Sequence, residues 1–233
     1  METLPPTSKA RWTRRNCWAI LFLLVCLLNL SVGATRANAQ EIFFKNGDAW
    51  PVVPMSPERA DDAYAIYSLL IPQQFPNTVF QHSPLWLIAN ITLVIDNNLD
   101  DPRTAITPPL PMRAAMAPVL QDFVQHQYEH VQLDKNFNLA QPYRLLNRMQ
   151  LGSFQRALLT SQAQQVNRMP APYQDAMGLI YFSDVYFNFE HTLAMVFVAD
   201  WCGAKCGLIR WVVLKKENGA WNTLPWAVQS RQP

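Results

Sequence analysis

His126-Gln127-Tyr128-Glu129-His130 places two histidines four residues apart, with a glutamate beside the second. On a helix, residues at i and i+4 share a face, so both imidazoles can reach one zinc ion. Glu129 would then activate a metal-bound water, the chemistry of the inverted zincin pattern H-x-x-E-H. Such a site needs a third protein ligand. The candidate, Glu190, lies sixty residues past His130 in an expected hairpin turn. The plainer reading sets His126 and His130 at the edge of an apolar helix stripe, with Glu129 in solvent. We expect no metal and no cofactor, and keep zinc hydrolysis through His126, Glu129 and His130 as the alternative.

The second chemical feature is Trp201-Cys202-Gly203-Ala204-Lys205-Cys206-Gly207. Three residues between the cysteines, in a loop with glycines, let the two Cα atoms approach to the ~4.4–6.8 Å that a disulfide requires. A Cys202–Cys206 bridge would pin a hairpin tip and contribute only about 2 kcal/mol, because the closed loop is short. Redox catalysis stays open as an alternative, although the reactive motif has two intervening residues and a helix N-terminus to lower the thiol pKa. A metal site is the third reading, and it lacks further ligands at useful spacing.

Trp201, Trp211, Trp221 and Trp226 fall in the C-terminal third. Core packing is their default. The sharper alternative makes Trp201, Trp211 and Trp221 a ligand-facing aromatic platform on a sheet. No glycine-rich phosphate loop and no G-x-S-x-G elbow occurs. Asp61-Asp62 and Asp100-Asp101 are adjacent pairs whose members point to different sides, so neither makes a convincing catalytic carboxylate pair.

The elements that must position these residues can be read from periodicity. Ser56 is a suitable N-cap and Pro57 a suitable first helical residue. Ala60, Ala63, Tyr64, Tyr67, Leu70 and Ile71 then recur on one helical face, and Pro72 is expected to end the helix. Leu85–Ile95 reads as a strand. Residues 100–118, with five prolines, read as a long loop. A helix is expected over 116–131, with Met116, Val119, Leu120, Phe123, Val124, Tyr128 and Val131 inward. A weaker one is expected over 153–167. From Met177 the pattern turns to strands at Leu179–Phe187, Leu193–Trp201, Gly207–Leu214 and Ala220–Leu224. Asn218-Gly219 marks a tight turn, because both residues tolerate positive φ. Strands joined by such short turns must run antiparallel. The expected fold is α+β, with N-terminal helices packed on one face of a C-terminal antiparallel β-meander of about four to five strands.

The first 39 residues read as a secretory signal peptide. Lys9, Arg11, Arg14 and Arg15 precede the apolar run Cys17–Leu28, and Ala37-Asn38-Ala39 offers the small-x-small cleavage pattern. The alternative is an uncleaved anchor over residues 17–34, just long enough to span a membrane. With a signal at 1–39 and an extended lead-in at 40–56, residues 57–233 form one α+β domain. The whole chain of 233 residues carries 19 basic and 17 acidic groups, a formal +2. The signal takes five of the basic groups and one acidic group, so the mature chain stands at −2. That balance argues against a nucleic-acid partner. Half of the residues are apolar and 15% are charged, against roughly 25% in an average soluble domain. Disorder is excluded on that composition.

Val198–Gly207, followed by Val213-Leu214-Lys215-Lys216-Glu217-Asn218-Gly219-Ala220-Trp221, resembles a group of uncharacterised secreted bacterial proteins. Their C-terminal pattern is a strand, a Cys-Gly-x-x-Cys-Gly loop, a second strand and Leu-x-Lys-x-x-Gly-x-Trp. The likeness is clearest over 178–222. This chain has Ile209 where that group has a further glycine. The resemblance implies an exported compartment and a β-hairpin fold, and carries no activity. The reading is therefore an exported protein, periplasmic or extracellular. It is a non-catalytic binding or interaction domain for an unidentified small molecule or protein, touching membrane only if the anchor is retained.

Overall fold

The computed structural model describes residues 50–74, 85–95, 101–161, 173, 176–203, 206–227 and 229–231. The expected signal peptide, like the alternative anchor, lies outside them. So does most of the lead-in, although its last residues form β1 (Val52–Pro54). Among the described residues no helix is long and apolar enough to cross a membrane. All of them belong to one unit that spans residues 46–233.

Helix α1 runs Pro57–Gln74. The Ser56 carbonyl accepts the Arg59 N–H at 3.0 Å and closes its first turn. Ala63, Tyr64, Tyr67, Leu70 and Ile71 are buried on the expected face, together with Ile66. The helix continues through Pro72 where a stop was expected. A proline so near the C-terminal end forfeits only one backbone bond, and Leu70 and Ile71 stay anchored in the core. Strand β2 (Leu85–Ala89) follows, shorter than expected, with isolated bridges at Ile91 and Leu93. The proline-rich loop holds a four-residue helix α2 (Pro102–Ala105), capped by the Asp101 side chain, and a 3₁₀ turn at Leu110–Met112.

Helix α3 (Arg113–His126) is the main correction. It starts earlier than expected and stops five residues sooner, and His130–Gln132 leaves as strand β3. Pairing decides this: β3 runs parallel to β1, with Val52 opposite His130 and Val53 opposite Val131. Two residues of the expected inward stripe, Val124 and Tyr128, are about half exposed as a result. Strand β4 (Tyr143–Leu146) and helix α4 (Arg148–Ser161) complete the middle of the chain.

The C-terminal strands fall close to expectation. They are β5 (Ala176–Phe182), β6 (Tyr186–Phe187), β7 (Leu193–Gly203), β8 (Cys206–Glu217) and β9 (Ala220–Thr223), followed by β10 (Gln229–Arg231). Asn218 (φ +52°) and Gly219 (φ +82°) form the β8–β9 turn, as the Asn-Gly pair predicts. The α+β class holds, and the sheet is larger than expected. It has eight strands in the order β10-β8-β7-β5-β2-β4, with β6 beside β7 and β9 beside β8. Strands β2 and β4 join parallel to the antiparallel meander. Their long connections, through α3 and α4, permit the crossovers that parallel pairing needs.

Both faces of this sheet are covered, where one was expected. Ile180, Phe182, Val196, Val198, Val212 and Leu214 pack with α1 in the main core. On the opposite face, Phe123 of α3 meets Trp211 and Tyr186 edge to face, and Phe197 also reaches Trp211. Burial on both sides explains why β7 reads as a continuous apolar run (LAMVFVA) and not an alternating one. Each fully buried Leu, Ile or Val contributes roughly 1.5–3 kcal/mol relative to exposure.

Candidate functional site

The sites expected from sequence fare differently. His126 is the last residue of α3, Glu129 follows a two-residue turn, and His130 opens β3. The three are not on one helix, so the H-x-x-E-H geometry fails. His126 turns Nδ1 back to its own helix, 3.0 Å from the Asp122 carbonyl and 3.0 Å from its carboxylate. His130 is buried, with Nδ1 2.6 Å from the Thr92 carbonyl. A carbonyl only accepts, so Nδ1 carries the proton. Burial lowers the His130 pKa, against the pull of the Thr92 hydrogen bond. Among the described residues no group of three or more His, Cys, Asp or Glu side chains could hold a metal ion.

Trp211 and Trp221 are buried at 2% and 7% exposure, so neither faces a ligand. Trp211 is core, and Trp221 Nε1 donates to Asp62 at 2.9 Å. Trp226 lies in a 3₁₀ turn after β9. The side chains of Trp201, Cys202 and Cys206 lie outside the described residues. Along the backbone, Trp201 pairs with Gly207 and Gly203 with Cys206, with an irregularity between.

What the structure brings together instead is a charge cluster around Arg59. From the first turns of α1, Arg59 reaches α3 and the β5–β6 turn at once. Its Nη1 and Nη2 donate to both carboxylate oxygens of Asp122, at 3.2 and 3.0 Å. Nη2 also reaches Asp184 Oδ2 at 3.1 Å and the Val185 carbonyl. Asp122 Oδ2 further accepts the Phe187 N–H at 2.8 Å, satisfying a donor that strand β6 leaves outside the ladder. The remaining Asp184 oxygen accepts the Val185 N–H at 2.8 Å. Burial pushes the Asp184 pKa up to about 6, against the pull of Arg59 and the Val185 N–H.

Three residues on, Asp62 anchors a second cluster. Its Oδ1 takes Lys216 Nζ at 2.6 Å and the Trp221 indole, while Oδ2 lies 3.4 Å from His191 Nδ1. Burial raises the Asp62 pKa, and the Lys216 and Trp221 hydrogen bonds outweigh it, leaving a net lowering.

A cleft of about 150 Å³ opens where α1, α3 and the β6–β7 turn meet. Arg59 of α1 lines it, with Pro118, Gln121, Asp122 and Gln125 of α3. Phe187, Asn188, Phe189 and His191 come from β6 and the turn. That turn is rigidly built. Asn188 Oδ1 accepts the N–H groups of Thr192 and Leu193, and Asn188 Nδ2 donates to Glu190 and Thr192. His191 sits at φ +50°, a strained conformation for a non-glycine residue. Its ring stacks on Phe187 at 4.5 Å and 16°. Phe189 projects 84% exposed. The sequence singled out Glu190 of this turn as a candidate zinc ligand and did not point to Arg59, Gln121, Asp122, Gln125 or Phe189.

No family model, no curated protein and no solved structure matches this chain.

Proposed function

We propose that the chain is an exported, non-catalytic binding domain and that the cleft beside Arg59 is its ligand seat. One observation carries this reading: the lining combines internally paired charge with free amides and an exposed aromatic ring. Asp122 has all its acceptor positions committed, and the lining contributes no hydroxyl or thiol nucleophile. Such a surface holds a partner without reacting with it. Export is supported by the signal-like residues 1–39 and by the resemblance of 178–222 to secreted bacterial proteins. An oxidising compartment in turn favours the Cys202–Cys206 bridge.

The reading is tested by placing a photoreactive benzoylphenylalanine at position 189, or at exposed Met149 as a control, in the producing cell. The expected result is a discrete adduct from position 189 on exported protein, and none from position 149. No adduct at 189, or equal labelling at both positions, contradicts the reading. Intact mass should place the exported N-terminus at Gln40, and thiol titration should find no free thiol. Retention of Met1 contradicts cleavage, and two free thiols contradict the bridge.

A further inference from the structure

We infer that the cleft binds a single ring of a neutral carbohydrate, stacked on Phe189 and hydrogen-bonded by Gln121 and Gln125. The inference rests on the cleft being the ligand seat and names what occupies it.

Charge comes first. Arg59 is met by two carboxylates, Asp122 and Asp184, and its Nη groups are spent on them and on Val185. An anionic ligand would face a net negative cluster whose guanidinium is engaged at both Nη groups and whose Nε is buried without a partner. A cationic ligand would find no free acceptor on Asp122. The groups left for a ligand are uncharged. Gln121 and Gln125 are exposed, stand one turn apart on α3, and make no hydrogen bond among the described residues. Each amide both donates and accepts, which matches hydroxyl groups that do the same. His191 adds a ring nitrogen: Nδ1 lies 3.4 Å from the Asp62 carboxylate, and Nε2 makes no hydrogen bond among the described residues. Its position is fixed in advance by the φ +50° backbone and by Phe187. Pre-organisation of this kind reduces the ordering cost of binding.

Shape comes second. At about 150 Å³ the cleft is smaller than the ~300–1,000 Å³ of sites for drug-sized ligands. It is bounded by α1, α3, β6 and one tight turn, and the Phe187 N–H of β6 is already taken by Asp122, so an extended peptide finds no donor there. Phe189 at its rim exposes an aromatic face that the C–H face of a pyranose can cover, removing apolar surface from water on both. A pyranose chair, with equatorial hydroxyls at its edge and axial C–H groups on its face, satisfies the amides and the aromatic together.

The test probes a glycan array with the mature chain, then titrates the best soluble glycan into wild type, Phe189→Ala, Gln125→Ala and Met149→Ala. The expected result is glycan binding that weakens about tenfold in Phe189→Ala and about fivefold in Gln125→Ala. Met149→Ala should bind as wild type does. Glycan binding unchanged by the two cleft variants overturns the assignment of a sugar to this site. No glycan binding, with a protein or peptide adduct still formed from position 189, overturns the carbohydrate class and leaves the binding reading standing. No glycan binding and no adduct overturns both.

Discussion

Arg59 and Asp62 stand one helical turn apart on α1, yet they anchor charge clusters of opposite character. The Arg59 cluster draws in Asp184, which is 4% exposed, and ties α1 to α3 and to the β5–β6 turn. The Asp62 cluster lies nearer the surface, where Lys216 keeps 31% of its side chain in solvent. In the first, desolvation outweighs the attraction of a nearby guanidinium, and the Asp184 pKa rises to about 6. In the second, hydrogen bonds from Lys216 and Trp221 win, and the Asp62 pKa falls. The same pairing of acid and base therefore reports depth of burial through the sign of its shift. Phe187 lies between the two, with the Arg59 guanidinium 5.5 Å from its ring centre and His191 stacked on it. The cleft is thus framed by one deep cluster and one shallow one.

Removing the deep cation is the severest way to break this comparison. Arg59→Ala leaves buried Asp184 and half-buried Asp122 without their partner, and urea unfolding should show a loss of about 3–5 kcal/mol. A loss below about 1 kcal/mol would place the Arg59 cluster in the same class as an exposed ion pair. Asp62→Ala releases a partly exposed Lys216 and one indole donor, and should cost about 1–2 kcal/mol in the same assay. Phe189→Ala removes an exposed ring and should change stability by no more than about 0.5 kcal/mol. A larger loss would make Phe189 a structural residue and weaken its role at the cleft rim.

How far the sequence revealed this arrangement depends on the range of the interactions. The buried face of α1 and the Asn218-Gly219 turn were legible because each is set by neighbours within one turn or one hairpin. The end of α3 was not, since no glycine or proline marks it. Pairing of His130 with Val52, 78 residues away, overrode the helical period. Long-range pairing also added β2 and β4 to the meander. The Arg59 cluster was illegible for the same reason: Asp122 is 63 residues from Arg59, and Asp184 is 125 away. One local signal was available. Ser183-Asp184 interrupts the apolar stretch Leu179–Phe187, and a charged residue inside a buried strand run has to find a partner. The Phe187–His191 stack had no such signal, because a positive φ at a histidine cannot be read from residue type.

The contrast between the clusters is tested most directly by stability against pH, measured by urea unfolding from pH 7 to pH 5. Asp184 and Asp200 are both raised to about 6 by burial, so the folded chain takes up protons before the unfolded one does. These two carboxyls should then add stability as the pH falls through 6, while His130, whose pKa burial lowers, takes some away. Asp62, with its lowered pKa, stabilises the fold above the unfolded carboxylate range and loses that contribution only below about pH 4. The expected result is that acidification from pH 7 to pH 5 stabilises Asp184→Asn clearly less than wild type, and Asp62→Asn as much as wild type. An Asp184→Asn variant with the same pH dependence as wild type contradicts a deep Arg59 cluster.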